Sequence, residues 1–338
     1  MICRRTALEL VCLTLIFLGL STISTAAASA QAIQPAAELP VSQSRTAEPQ
    51  AADSPMDRPP SIRVDVRLIN VFVNVTDESG SPVGGLTKDS FSLAEDGRPQ
   101  KISFFGRESE MPLTIAMAID TSGSVRKDLP IELQAAHAFV HRLIRPIDLF
   151  SLFDFSSDVR EVVSFTNRAS RIDDGLDRLR FGPATALYDA VYLTSQTLAP
   201  HPGRKVLLII SDGGNTVDGV DYAKALEEAV RSEVMVYSII DVPIAADAGR
   251  DTGGEHALIT LSQETGGKHY YAEASTLGKA LEEVSEDLRT QYSLGYYPAH
   301  HTSHGSDFHS IAVTVKAKDP GATYTVRHRT GYYSTPLP

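Results

Sequence analysis

Hydrophobic positions along this chain follow two rhythms, and the change of rhythm divides it. From Ile62 the segment "IRVDVRLINVFVNVTD" alternates, with Val64, Val66 and Leu68 on one side and then Val71, Val73 and Val75. That is the period of a β-strand. A turn cluster, "DESGSPVGG", follows, and "DSFSLAEDGRPQKISFF" predicts two more short strands around Asp96-Gly97. Between Met111 and about Arg289, continuous apolar runs alternate with helical patterns. Strands are predicted at 113–119, 148–155, 205–211, 233–240 and 268–272, with helices at about 129–145, 170–179, 186–199, 221–232, 254–265 and 275–289. In the last helix Leu277, Ala280, Leu281, Val284 and Leu288 share one face. Strands that are apolar throughout, with helices between them, predict a Rossmann-like, doubly wound, mostly parallel sheet covered on both faces.

Strand period returns after this region in "QYSLGYYP", "SIAVTVKA" and "TYTVRHRTGYY". Neither β flank has enough strands to be stable alone. The expectation is one small antiparallel β-sandwich made from 62–108 and 291–335, with the α/β domain (111–290) inserted; two separate β caps flanking it are the alternative.

The first residues follow neither rhythm. Arg4 and Arg5 precede an apolar stretch, Leu10 to Leu20, and small residues run to Ala28-Ser29-Ala30. Basic head, short apolar middle and A-x-A exit describe a signal peptide over 1–30 and an exported protein, in periplasm, at the cell surface or secreted. An uncleaved anchor is the alternative and the one route to a membrane. Residues 31–61, rich in Ala, Pro, Ser and Gln, read as a disordered linker. Both cysteines, Cys3 and Cys12, fall within the leader, so a mature chain has no disulfide. The formal net charge of -11, without a dense basic run, argues against nucleic acid.

Chemistry concentrates where predicted strands end. In a parallel α/β sheet ligands meet the loops at the carboxyl ends of the strands. Asp120 ends the run "LTIAMAI", and Ser122 and Ser124 follow at alternate positions in "DTSGS". In an extended loop these three face one side. Asp212 ends "KVLLIIS", and Thr185 precedes a helix in "FGPATAL". Carboxylates and hydroxyls are hard donors suited to Mg²⁺, Mn²⁺ or Ca²⁺, not to zinc or copper. Singly, each is also an ordinary helix cap or turn residue.

D-x-S-x-S, then Thr185, then Asp212, in that order and at strand ends, resembles the metal-ion-dependent adhesion site (MIDAS) of the von Willebrand factor A domain. The resemblance covers about Met111 to Arg289. It implies that Ser122 and Ser124 bind the ion directly, that Thr185 joins in one state, and that Asp120 and Asp212 act directly or through water. The flanks "VNVTDESGSPVGGLTKDSFSLAEDG", "YSLGYYP" and "RHRTGYY" resemble a bacterial, acidobacterial-type family of exported A-domain proteins. Two details depart from the commonest A-domain form: Pro183-Ala184 before the threonine, and Ser211 before Asp212.

The function this implies is binding: the ion keeps an open position for an Asp or Glu of a protein ligand. No His or Glu lies within the motif loops to serve as a base, so no enzyme is expected. A structural envelope component and a metal-dependent hydrolase are the alternatives. Asp154 and Asp158 read as strand-end turn residues, and "DTSGS" is no serine-hydrolase elbow. His300, His301, His304 and His309 read as a solvated hairpin loop that could also bind zinc or copper. Tyr292, Tyr296, Tyr297, Tyr332 and Tyr333 read as sandwich packing. Oligomeric state has no signature in the sequence.

Overall fold

The computed structural model describes residues 68–107, 111–123, 129–241, 252–298, 308–317 and 321–334. Val64, Val66, the leader, the linker, Ser124, His300, His301 and His304 lie outside them.

The central unit begins with β5 (Leu113–Asp120), whose eight residues are all buried. It continues through α1 (Leu129–Leu143), β6 (Leu149–Phe155), β7 (Val159–Thr166), α2 (Ala169–Leu176), α3 (Leu187–Leu198), β8 (Arg204–Ser211), α4 (Tyr222–Arg231), β9 (Val234–Asp241), α5 (Thr252–Thr265), β10 (His269–Ala272) and α6 (Leu277–Arg289). The strands form one sheet in the order β10-β9-β8-β5-β6-β7. All pairings are parallel except that of β6 with β7. Alternate residues of β5 explain why helices must cover both faces. Leu113, Ile115, Met117 and Ile119 pack against Phe139, Val140 and Leu143 of α1 and Leu281, Val284 and Leu288 of α6. Ala116 and Ala118 face Leu187, Ala190 and Val191 of α3 and Leu258 and Leu261 of α5. Each large apolar side chain fully buried in this way contributes roughly 1.5–3 kcal/mol.

Strand β7 is absent from the sequence-based expectation. It is an antiparallel edge strand in which only Val163 and Thr166 are buried.

The remaining strands come from both flanks: β1 (Ile69–Thr76), β2 (Phe91–Glu95), β3 (Arg98–Gln100) and β4 (Ile102–Arg107) before the central unit, and β11 (Tyr292–Tyr296), β12 (Phe308–Val315), β13 (Thr325–Arg327) and β14 (Gly331–Tyr333) after it. They form two sheets, β13-β1-β11-β4 and β14-β12-β2-β3. All their pairings are antiparallel, and each sheet mixes strands of both flanks. One hydrophobic cluster fills the space between them, including Val71, Val73, Leu93, Tyr292, Leu294, Tyr296, Val313 and Tyr332. The segment "TYTVRHRTGYY" is two strands and not one, because it passes from the first sheet (β13) to the second (β14). Gly331 makes the second pairing possible: a Cβ there would stand 2.3 Å from the carbonyl oxygen of His309.

A buried polar network joins the sandwich to the α/β unit. Arg204, 1% exposed, donates Nη1 to the carbonyl of Leu288 (2.7 Å) and to Gln291 Oε1 (2.6 Å). Gln291 Nε2 reaches Asn74 Oδ1 at 2.8 Å. Asp287 accepts from the hydroxyl of Tyr237 (2.5 Å) and from Arg327 Nη2 (2.7 Å).

Candidate functional site

Strand order places the site. The chain runs outward from β5 to β6 and β7, then returns to lay β8 on the other side of β5. The crevice between the carboxyl ends of β5 and β8 is the switch point where ligands of doubly wound sheets bind. Asp120 ends β5, and Asp212 directly follows β8.

Asp120 is 1% exposed. Its Oδ1 accepts the backbone N–H of Ser122 at 2.9 Å, and its Oδ2 accepts the hydroxyl of Ser211 at 2.7 Å. Ser211 Oγ also accepts Gly213 N at 3.1 Å, so one hydroxyl ties both strand ends together. Asp212 is half-buried, and its Oδ1 accepts Gly214 N at 3.0 Å. Among the described residues, neither aspartate has a basic partner. Burial, reinforced by the nearby Asp212 charge, raises the carboxyl of Asp120 to a pKa of about 6 against the hydrogen bonds from Ser211 and Ser122.

The third loop is tied to the same place. Thr121 donates its backbone N–H and its hydroxyl to the carbonyl of Phe155, at 2.9 and 3.1 Å, and Gly182 N reaches the carbonyl of Thr121 at 3.2 Å. Ala186 N donates to the carbonyl of Ser156 at 2.7 Å, fixing the start of α3. Thr185, also buried, donates N–H to Thr216 Oγ1 at 2.8 Å and accepts Thr216 N at 2.8 Å through its carbonyl. Gly213 has φ +93°, and a Cβ there would lie 2.8 Å from the backbone nitrogen of Glu255 in α5.

Of the sequence-predicted residues, Asp120 and Ser122 are in direct contact. Asp212 is linked to Asp120 through Ser211 and Gly213, and Thr185 is held by Thr216 of the Asp212 loop. Ser124 lies outside the described residues. Sequence reasoning missed Thr216 as the clamp on Thr185, and it read Ser211 as a variation, not as a partner of Asp120. Asp154 is a buried residue of β6 that pairs with Arg160 and accepts Arg180 N at 2.8 Å, so it braces a loop. The carbonyl of Asp158 accepts Ser156 N at 3.0 Å in a strand-end turn.

The donor set fits a hard divalent cation. Its buried carboxylate has no basic partner, a second carboxylate stands nearby, and the neighbouring donors are hydroxyls.

Residues 115–215 match the von Willebrand factor type A domain model. No curated protein sequence matches the chain. Similar solved structures include the conserved hypothetical protein BatB from Bacteroides thetaiotaomicron, at 18% identity and TM-score 0.42, over 52% of this chain and 97% of that one. The vWF domain of the type V pili tip protein Mfa5 from Porphyromonas gingivalis is similar at 12% identity and TM-score 0.43, over 52% of this chain and 94% of that one. The PilB minor pilin from Streptococcus sanguinis is similar at 14% identity and TM-score 0.42, over 57% of this chain and 64% of that one. The matched segment, 115–215, spans both aspartate-bearing strand ends, so the candidate site lies within the part of the chain that is similar to the von Willebrand factor type A domain.

Proposed function

We propose that this chain is an exported binding module in which Asp120, Ser122, Ser124, Thr185 and Asp212 hold a divalent cation, Mg²⁺ before Mn²⁺ or Ca²⁺. The cation supplies an open position that accepts an Asp or Glu carboxylate of a protein partner. The observation that carries this reading is Asp120: a buried carboxylate with both oxygens oriented, a second carboxylate nearby and no basic partner among the described residues. Neutral hydroxyls around the ion leave it electron-poor, which favours an incoming carboxylate. Export follows from the leader-like residues 1–30. Among the described residues, no helix is long and apolar enough to cross a membrane.

The test is a pull-down from envelope extract with Mg²⁺ or with EDTA. Partner capture is expected with Mg²⁺, to vanish in EDTA, and to vanish in Ser122→Ala and Thr185→Ala while circular dichroism is unchanged. Capture by those variants at wild-type level, indifferent to EDTA, places recognition elsewhere.

A further inference from the structure

The geometry points to a second cation site, on the β-sandwich and independent of Asp120, in which Glu95, Asp96 and His309 hold a divalent transition-metal ion of the zinc type.

One ligand atom from each of the three lies within 4.8 Å of the others. Their placement follows from the hairpin between β2 and β3. Glu95 pairs with Arg98 across a two-residue turn, and the turn residues Asp96 and Gly97 have φ of +48° and +74°. Positive φ at both central positions is what a tight hairpin turn requires. The turn therefore accounts for the backbone of Asp96. Beside it runs β12, and Asp96 N donates to the carbonyl of Ser310 at 3.0 Å. Asp96 Oδ1 accepts Ser310 N at 2.9 Å, and Oδ2 lies 2.8 Å from His309 Nδ1. The His309 ring stacks on Tyr332, centroids 5.3 Å apart, which fixes its plane.

Glu95 supplies the second, independent observation. It is 5% exposed. Its Oε2 accepts two phenolic hydroxyls, from Tyr296 at 2.5 Å and from Tyr332 at 3.2 Å. Among the described residues it has no ion pair, and its Oε1 accepts no hydrogen bond. A buried carboxylate is ordinarily paired with a base or bound to a metal. Hydrogen bonds to one oxygen, with the other left open, are how proteins orient a metal-binding carboxylate. One imidazole and two carboxylates suit Zn²⁺ with a fourth position for water. This donor set differs from the all-oxygen set around Asp120. The ion would link the turn of the N-terminal flank to β12 of the C-terminal flank, so its binding energy would stabilise the sandwich.

The experiment uses the full chain, stripped with chelator and titrated with Zn²⁺ by calorimetry, with Co²⁺ absorption as a second readout. Expected is one Zn²⁺ bound by wild type and by Asp120→Ala, a raised melting temperature, and Co²⁺ ligand-field bands. His309→Ala and Asp96→Asn should each weaken Zn²⁺ binding by about tenfold or more and remove those bands. Asn keeps the turn because it tolerates positive φ, so Asp96→Asn stands if His309→Ala fails to fold. The proposal is overturned if wild type binds no Zn²⁺, or if Asp96→Asn binds it normally. It is equally overturned if binding is lost with His300, His301 and His304 changed to Ala and kept in Asp96→Asn. Loss of Zn²⁺ binding in Asp120→Ala would assign the ion to the other site. Failure of partner capture in the pull-down leaves this result untouched.

Discussion

Ser211 and Asp120, 91 positions apart, are joined by a hydrogen bond of 2.7 Å across the carboxyl ends of two neighbouring parallel strands. The same serine oxygen accepts Gly213 N. Ser211→Ala removes both links and leaves Asp120 Oδ2 buried without its donor. The expected cost is about 1–3 kcal/mol, from the unmet desolvation of that oxygen. Urea denaturation of wild type and variant measures it. If the Asp120 site binds Mg²⁺, the variant should also bind the ion more weakly in calorimetry, because the carboxylate loses one of its two fixed orientations.

The raised pKa of Asp120 sets a pH dependence for the metal-free protein. Its folded value is about 6 against 3.8 for the free side chain. Between these values the native state binds more protons than the unfolded state, so stability falls as pH rises from about 4 to about 6 and then levels. At about 1.4 kcal/mol per pKa unit the loss is about 3 kcal/mol. Asp120→Asn should abolish this slope and be the more stable protein at pH 7 in EDTA. Saturating Mg²⁺ should narrow or reverse that order, since it stabilises only the wild type. Chemical denaturation at several pH values, with and without chelator, reads both effects.

Gly254 lies in the first turn of α5, and a Cβ there would stand 1.6 Å from the carbonyl oxygen of Gly213. Backbone blocks that space, so Gly254→Ala must push apart α5 and the Asp212 loop. Expected is a loss of about 1–3 kcal/mol, as for overpacked sites, and weaker divalent-ion binding. Gly278→Ala, with nothing within 4 Å of its added carbon, is the control that should fold as wild type. Thermal melts and calorimetry on the pair separate local crowding from a general effect of glycine replacement.

At the junction of the two units, Asp287 accepts from both Tyr237 and Arg327. Asp287→Ala strands a buried phenol and a largely buried guanidinium. The cost should be about 3–5 kcal/mol, the usual range for breaking a buried pair from one side. Hydrogen exchange should then show reduced protection in β13 as well as in α6. A loss confined to α6 would mean that the network does not hold the sandwich.

The central sheet was legible because its inner strands are apolar along their whole length. In β5 every residue is buried, and the run "LTIAMAID" states it directly. Strand β7 was not legible: "VREVVSFT" mixes charge into a half-covered edge, where only one neighbour constrains it. The β13–β14 division was hidden for a different reason. Both pieces keep strand period, and the change of sheet depends on the close approach of Gly331 to His309, a contact with no local signature. In the candidate site, Asp120 and Asp212 stood out because a charge that ends an apolar run is conspicuous. Thr216 did not, because a neutral hydroxyl serving the backbone of Thr185 follows no spacing rule.

The pairing of β1 has a consequence for the order in which the molecule assembles. Its neighbours in the sheet are β11 and β13, made only after the whole α/β unit. The α/β strands, by contrast, find all their partners within their own stretch of chain. A chain emerging from its N-terminus thus carries β1 with both edges open while the central unit folds, and such edges invite association with other chains. Folding of the central unit then brings the two flanks together and shortens the effective loop that the sandwich must close. The inserted domain is in this sense the template on which its own flanking domain is completed.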